Sequence, residues 1–339
     1  MVIARRTGYS FAVRRFLVIA AILSSLAGCG GQEAGAFLDS RTPPALGPRF
    51  WPPAGWAWGV LRVEGAPEVR YGVASPAGRP AGHVIFVSGY GESAEVYFES
   101  ARDLLDRGYA VWTLEPHGQG GSGRFRGPAD IGRSAGFDRD AAALRALVEQ
   151  FIRPAQDDLV VVSANGSGAL TVLLAVQDGL RRVDRLHLSH PDLTPEPSLT
   201  ARRLTQVGLG MLRARGAAWR RPEGDLTNRP ALPAAWQAAN PDLRMGGPGW
   251  SWLDAEARAV DAASNPEAVA RVTVPVVMAA SARNRPAAEL CAKLPDCTGL
   301  FDRPTAPSHL SRGEARKAWL AVLLQAIEDP APAVGAHGV

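Results

Sequence analysis

Residues 161–175 read VVSANGSGALTVLLA. The stretch opens as β-branched strand, passes through Asn165, Gly166, Ser167 and Gly168, and closes as an apolar helix. Its lead-in, LVVVS (159–163), has no polar alternation, which is how a strand covered on both faces reads. Neighbouring segments repeat the theme: HVIFVSG (83–89), YAVWTLE (109–115), VDRLHLS (183–189) and VPVVMAA (274–280) are short apolar runs. Between them lie helical patterns. Tyr97, Ala101 and Leu104 share one face, with Gly108 placed to end that helix; Leu144, Leu147, Val148 and Phe151 share another. WGVLRVE (58–64) and PEVRYGVAS (67–75) read as an opening hairpin. Ser311 and Glu314 form a capping-box pattern ahead of a last helix striped by Trp319, Leu323 and Ile327. Strand alternating with helix predicts an α/β fold, a mostly parallel sheet covered by helices on both faces. Residues 194–270, rich in Arg, Pro and Trp, interrupt the alternation and read as a helical lid inserted between two sheet strands.

The chain has 339 residues, 46% of them hydrophobic, and a formal net charge of +4. That excess comes from the amino terminus: residues 1–28 carry Arg5, Arg6, Arg14 and Arg15 and no acid, and the remainder holds 33 residues of each sign. A neutral body gives no electrostatic footprint for nucleic acid. The arginines precede FLVIAAILSSLAG, an apolar run too short for a comfortable membrane span, so residues 1–28 are expected to be a signal peptide. LAGC (26–29) resembles a bacterial lipobox, which implies a lipidated Cys29, a tether over 29–55 and a place in the bacterial envelope, in the outer membrane facing the periplasm. The alternatives are an ordinary signal peptide or a retained anchor. Cys291 and Cys297 are an even pair close in sequence, which in an exported chain predicts a disulfide over two free thiols. No second Cys or His pair completes a zinc set, so no metal and no cofactor is expected.

Longer motifs carry a resemblance. VSGYGES (87–93), EPHGQGGSGR (115–124), LTNRP (226–230) and GGPGWSWL (246–253) resemble segments of the α/β-hydrolase superfamily, in its lysophospholipase and monoacylglycerol-lipase branch. The likeness spans about residues 56–328, leaving 329–339 as a tail. It implies a nucleophile elbow in the opening stretch, an acid after VPVVMAA and a base in APSHLSRGE (306–314). An elbow needs small residues two before and two and three after its apex. Asn165 as apex satisfies this with Ser163, Ser167 and Gly168, whereas Ser167 as apex meets Asn165 and Leu170. Asn165 therefore takes the nucleophile position, Asn284 the acid position and His309 the base position. Backbone amides of Tyr90 and Gly166 are the implied oxyanion donors, and Glu92 the brace of their loop. His117 is read as ordering its turn, His190 as a candidate beside the site, and Trp236, Trp250 and Trp252 as lid core.

An amide is not a nucleophile that a histidine can activate. The expectation is a lysophospholipase-like protein, catalytically impaired, that binds a lipid-like or acyl-ester ligand. The alternatives are an active ester hydrolase with a shifted nucleophile such as Ser167, and an interaction scaffold whose protein partner is unknown.

Overall fold

One central strand shows how the core is divided. The computed structural model describes residues 34–193, 199–224, 232–301 and 313–328. Residues 1–28, Cys29, LTNRP, His309, Ser311 and residues 329–339 lie outside them. All of β3 (Gly82–Val87) is buried. Because successive side chains point to opposite faces, Ile85 and Val87 enter one apolar cluster while Val84 and Phe86 enter another. Strand β5 (Leu159–Asn165) does the same, with Val160 and Val162 on the first face and Val161 on the second. A strand buried on both sides has no use for polar alternation, which is why these runs read as continuous apolar sequence.

With β1 (Ala57–Leu61), β2 (Val69–Ala74), β4 (Ala110–Leu114), β6 (Arg185–Ser189), β7 (Val276–Ala279) and β8 (Cys297–Leu300), they form one sheet in the order β1-β2-β4-β3-β5-β6-β7-β8. The pairs β1–β2 and β2–β4 are antiparallel, and the rest are parallel. Helices α1 (Phe98–Leu105), α2 (Phe137–Ala146) and α3 (Gly168–Gln177) are followed by α4 (Leu199–Gln206), α5 (Leu232–Ala239), α6 (Trp250–Ala263) and α7 (Pro266–Ala270). The series ends with α8 (Arg285–Lys293) and α9 (Gly313–Glu328). Side chains of α2, α3 and α6 fill the first face, and those of α1, α5 and α9 the second. This is the α/β-hydrolase arrangement that the resemblance implied.

Three segments depart from the sequence reading. The α2 pattern continues as a π-helical turn over Leu147–Ile152. Its wider turn rotates Phe151 out of the predicted stripe, leaving it exposed beside Tyr71, with ring centroids 5.4 Å apart. The segment read as lid has two characters. From Trp250 onward it belongs to the main core, through Trp252, Ala255, Ala259 and Ala263.

The third departure is the tether. Its described part is a strap packed on the body. Leu46 and Phe50 are buried. Ala36 N–H donates to Glu68 Oε2 at 3.0 Å. Arg41 exchanges two hydrogen bonds with the buried Asn240 side chain, at 2.7 and 2.9 Å, which fixes the strap to the end of α5.

The Cys291–Cys297 disulfide is present, with its Cα atoms 5.4 Å apart. It joins α8 to β8, the sheet's edge strand.

Candidate functional site

The elbow sits where β5 ends. Asn165 is still strand, paired with Ser189 of β6. The left-handed residue of the turn is Gly166, at φ 54°. Ser167 is already in the right-handed helical region at φ −67°, and α3 begins at Gly168. The left-handed residue is therefore one position after Asn165, which the sequence reading placed at the apex. A Cβ built on Gly166 would meet nothing within 4 Å. One built on Gly168 would lie 2.7 Å from the carbonyl oxygens of both Val87 and Ser88. Gly168 is thus the residue that lets helix and strand touch. The signal was in the sequence: counted from Gly166, the flanking positions are Ala164, Gly168 and Ala169, all small.

This register changes the assignments around the turn. Gly166 N–H donates to Ser189 O at 3.0 Å, so it is spent on the sheet and is not an oxyanion donor. Tyr90 N–H, the other expected donor, points at the elbow as expected, and there it donates to Ser167 Oγ at 3.0 Å. Ser167 is itself almost fully buried. The Asn165 side chain turns away from the apex and donates through Nδ2 to Glu92 Oε1. Glu92 Oε2 accepts from Gly89 N–H and from the Tyr97 hydroxyl, both at 2.9 Å. Burial pushes the Glu92 carboxyl above its usual range, and those three donors pull it back. Gln119, from the GQGGSGR turn, accepts Gly91 N–H at 2.9 Å. The loop that carries Tyr90 is therefore held at Gly89 and at Gly91.

A cavity of about 380 Å³ opens in front of the elbow. The Gly89–Glu92 loop, residues 165–167, His190–Asp192, Ser281 and Asn284 line it. Tyr90 closes one side: its hydroxyl donates to Gly246 O at 2.9 Å and its ring packs edge-on to Trp252 at 4.9 Å. The structure brings Asn284 to this cavity. Its amide is employed structurally: Oδ1 accepts Ala287 N–H at 3.2 Å, capping α8, and Nδ2 donates to Pro191 O at 3.1 Å. His190 also reaches the cavity, on a left-handed backbone at φ 48°, with Nδ1 3.1 Å from Ser189 Oγ. Burial lowers its pKa and favours the neutral ring.

His117 orders its turn, with Nδ1 2.7 Å from Asp140 Oδ1 and Nε2 accepting Ala135 N–H at 2.9 Å. Trp236 and Trp252 are core side chains, and Trp250 is half-buried.

Glu256 of α6 escaped the sequence reading, because only tertiary burial makes it unusual. Its pKa is pushed up to about 7, chiefly by burial and then by the neighbouring Asp192 charge, with Arg215 opposing. A carboxyl whose folded pKa lies above its unfolded value loses stability as pH rises from about 4.5 through 7. Glu256→Gln is therefore expected to raise the melting temperature at pH 8, by up to about 3 kcal/mol in stability, and to leave it unchanged at pH 4. Melting curves of both proteins at the two pH values check this. An equal shift at both would exclude the carboxyl as its cause.

A profile of the family described as Serine aminopeptidase, S33 matches residues 78–293. No curated protein matches the chain. Among solved structures the chain is similar to a lipase in its open form, at 17% identity and TM-score 0.59, over 80% of this chain and 98% of that one. It is similar to a soluble variant of monoglyceride lipase from Saccharomyces cerevisiae in complex with a substrate analog, at 14% and 0.59, over 80% and 94%. A highly thermostable carboxyl esterase from Bacillus coagulans in complex with glycerol matches at 13% and 0.59, over 81% and 100%. At these identities the likeness is one of fold.

Proposed function

The chain belongs to the Serine aminopeptidase, S33 family within the α/β-hydrolase superfamily, and from that premise we propose that it binds an acyl-ester or lipid-like ligand without efficient turnover. The observation that carries this reading is Gly166. The residue with the backbone of a nucleophile's turn has no side chain, and open space lies where one would project. Two further features support it. The Tyr90 amide is engaged by Ser167 Oγ, and the Asn284 amide is committed to capping α8. The ligand class is supported by the site's place in the fold, and by the substrate analog and the glycerol held by the yeast lipase and the Bacillus esterase.

Purified protein is expected to hydrolyse short acyl esters and lysophospholipids at least about 10⁴-fold more slowly than a relative with an intact triad, because losing a nucleophile costs that much or more. Steady-state assays, with binding followed separately by calorimetry, test it. The second reading, an active ester hydrolase, draws on Ser167, which is among the residues that line the cavity. Robust turnover that vanishes in Ser167→Ala would establish that reading and reject the first.

The segments outside the described residues complete the proposal. His309 would be the inherited base. Residues 1–28 would be a signal peptide, and Cys29 a lipidated residue holding the protein to the bacterial envelope. Metabolic labelling with a palmitate analogue is expected in wild type and absent in Cys29→Ser; equal labelling of the two would reject the anchor.

A further inference from the structure

The described surface places its apolar exposure unevenly. Of eight large apolar side chains that are exposed, five lie within fourteen residues: Leu199, Val207, Leu209, Met211 and Leu212. Leu199 is 70% exposed and Val207 69%. Single exposed apolar residues are ordinary, but such a concentration marks an interaction surface. The loop that presents it is firmly held. Leu212 N–H bonds Leu209 O at 3.0 Å, Trp250 N–H bonds Leu212 O at 3.1 Å, Ser251 N–H bonds Gly210 O at 3.0 Å and Ala214 N–H bonds Pro248 O at 2.8 Å. Backbone bonds to the start of α6 thus keep Leu209, Met211 and Leu212 turned outward. On α4, Ala201 is buried while Leu199, Arg202 and Arg203 are exposed.

Charge selects the occupant. Residues 199–222 contain six arginines and no acid. Five of the six are exposed; Arg213 turns inward onto Asp130 at 2.9 Å. The rest of the protein after residue 28 holds 27 basic residues against 33 acidic ones, so this positive cluster is local. Apolar side chains set among exposed cations are the chemistry that enters the headgroup layer of a bilayer, with arginines on the phosphates and apolar groups against the upper acyl chains.

We propose that the 199–221 segment docks on an anionic lipid surface, independently of any acyl group at Cys29 and of whether the elbow turns over substrate. The test uses the full chain with Cys29→Ser, labelled with an environment-sensitive fluorophore at Met211→Cys or, as control, at Phe151→Cys. Each protein is mixed with phosphatidylcholine vesicles that carry a bilayer-embedded quencher, with and without phosphatidylglycerol. The expected result is quenching at 211 that needs phosphatidylglycerol, falls with added salt and drops at least about tenfold when Arg202→Glu and Arg203→Glu are added. The label at 151 should stay unquenched. Circular dichroism of each variant confirms that it is folded. A label at 211 no more quenched than one at 151 would overturn the proposal. So would quenching that survives both charge reversals, or concentration-dependent shielding of 211 without vesicles, which would mean that a second copy covers the patch.

Discussion

Gly166→Ser is expected to gain covalent labelling by a fluorophosphonate and a measurable esterase rate, and Asn165→Ser is not. The two substitutions place a hydroxyl one residue apart. At 166 the new Cβ projects into open space from a left-handed turn. At 165 it replaces a strand side chain that serves Glu92. The expected gain at 166 is about 10²-fold or more, the lower end of what a positioned base contributes, provided that His309 fills the base position as proposed. A serine held at positive φ costs stability, about 1–3 kcal/mol, so the gain should come with a lower melting temperature. Adding Ser167→Ala, which frees the Tyr90 amide to serve a developing oxyanion, should raise the rate further. If Asn165→Ser labels and Gly166→Ser does not, the apex belongs at 165 and the register argued from the backbone is wrong.

The largest stability effect is expected far from the cavity, at Arg70. This guanidinium is fully buried and surrounded. It donates to Glu95 Oε1 and Oε2 at 2.9 and 3.0 Å, to both Glu115 oxygens, to Phe37 O at 3.0 Å and to Ser40 Oγ at 3.1 Å, and it stacks on Trp58 at 3.9 Å. Two buried carboxylates on one buried cation are tolerated only while the cation is there. Arg70→Met removes it and should cost about 3–5 kcal/mol. Burial alone already pushes the Glu115 carboxyl upward against the opposing Arg70 charge. Without Arg70 the Glu115 carboxyl would protonate more readily when folded, so the deficit should shrink as pH falls toward 4. Urea unfolding at pH 7.5 and pH 4 reads both quantities. A loss under 1 kcal/mol, or one independent of pH, would mean that the network is not the support it looks to be.

Much of the fold was legible because its strands are buried on both faces and its turns carry glycine. HVIFVSG, YAVWTLE and LVVVS needed no tertiary knowledge, and the disulfide followed from an even cysteine pair. The sequence reading put the apex at Asn165 while the left-handed residue is Gly166, because the small-side-chain rule fits two registers, Ser163–Gly168 and Ala164–Ala169, and the backbone departs from the one read. The strap was misread because Pro and Gly describe local stiffness and say nothing of what Leu46 and Phe50 will touch. CTGL (297–300) is too short and too exposed to announce β8; it is a strand because β7 offers it an edge. Glu256 carries no local mark at all. The proposed base and anchor, His309 and Cys29, lie outside the described residues.

The strap also sets an order of assembly. Arg41 and Asn240, bonded in the finished protein, are separated by 199 positions in the chain. That contact cannot exist until the ribosome has added those residues, about 10–40 s at ~5–20 residues per second. The Arg70 cluster needs only residues up to Glu115 and can close much earlier. Phe37 and Ser40 belong to that cluster, so the strap is tacked down early at one point and is fastened at Arg41 only when Asn240 arrives.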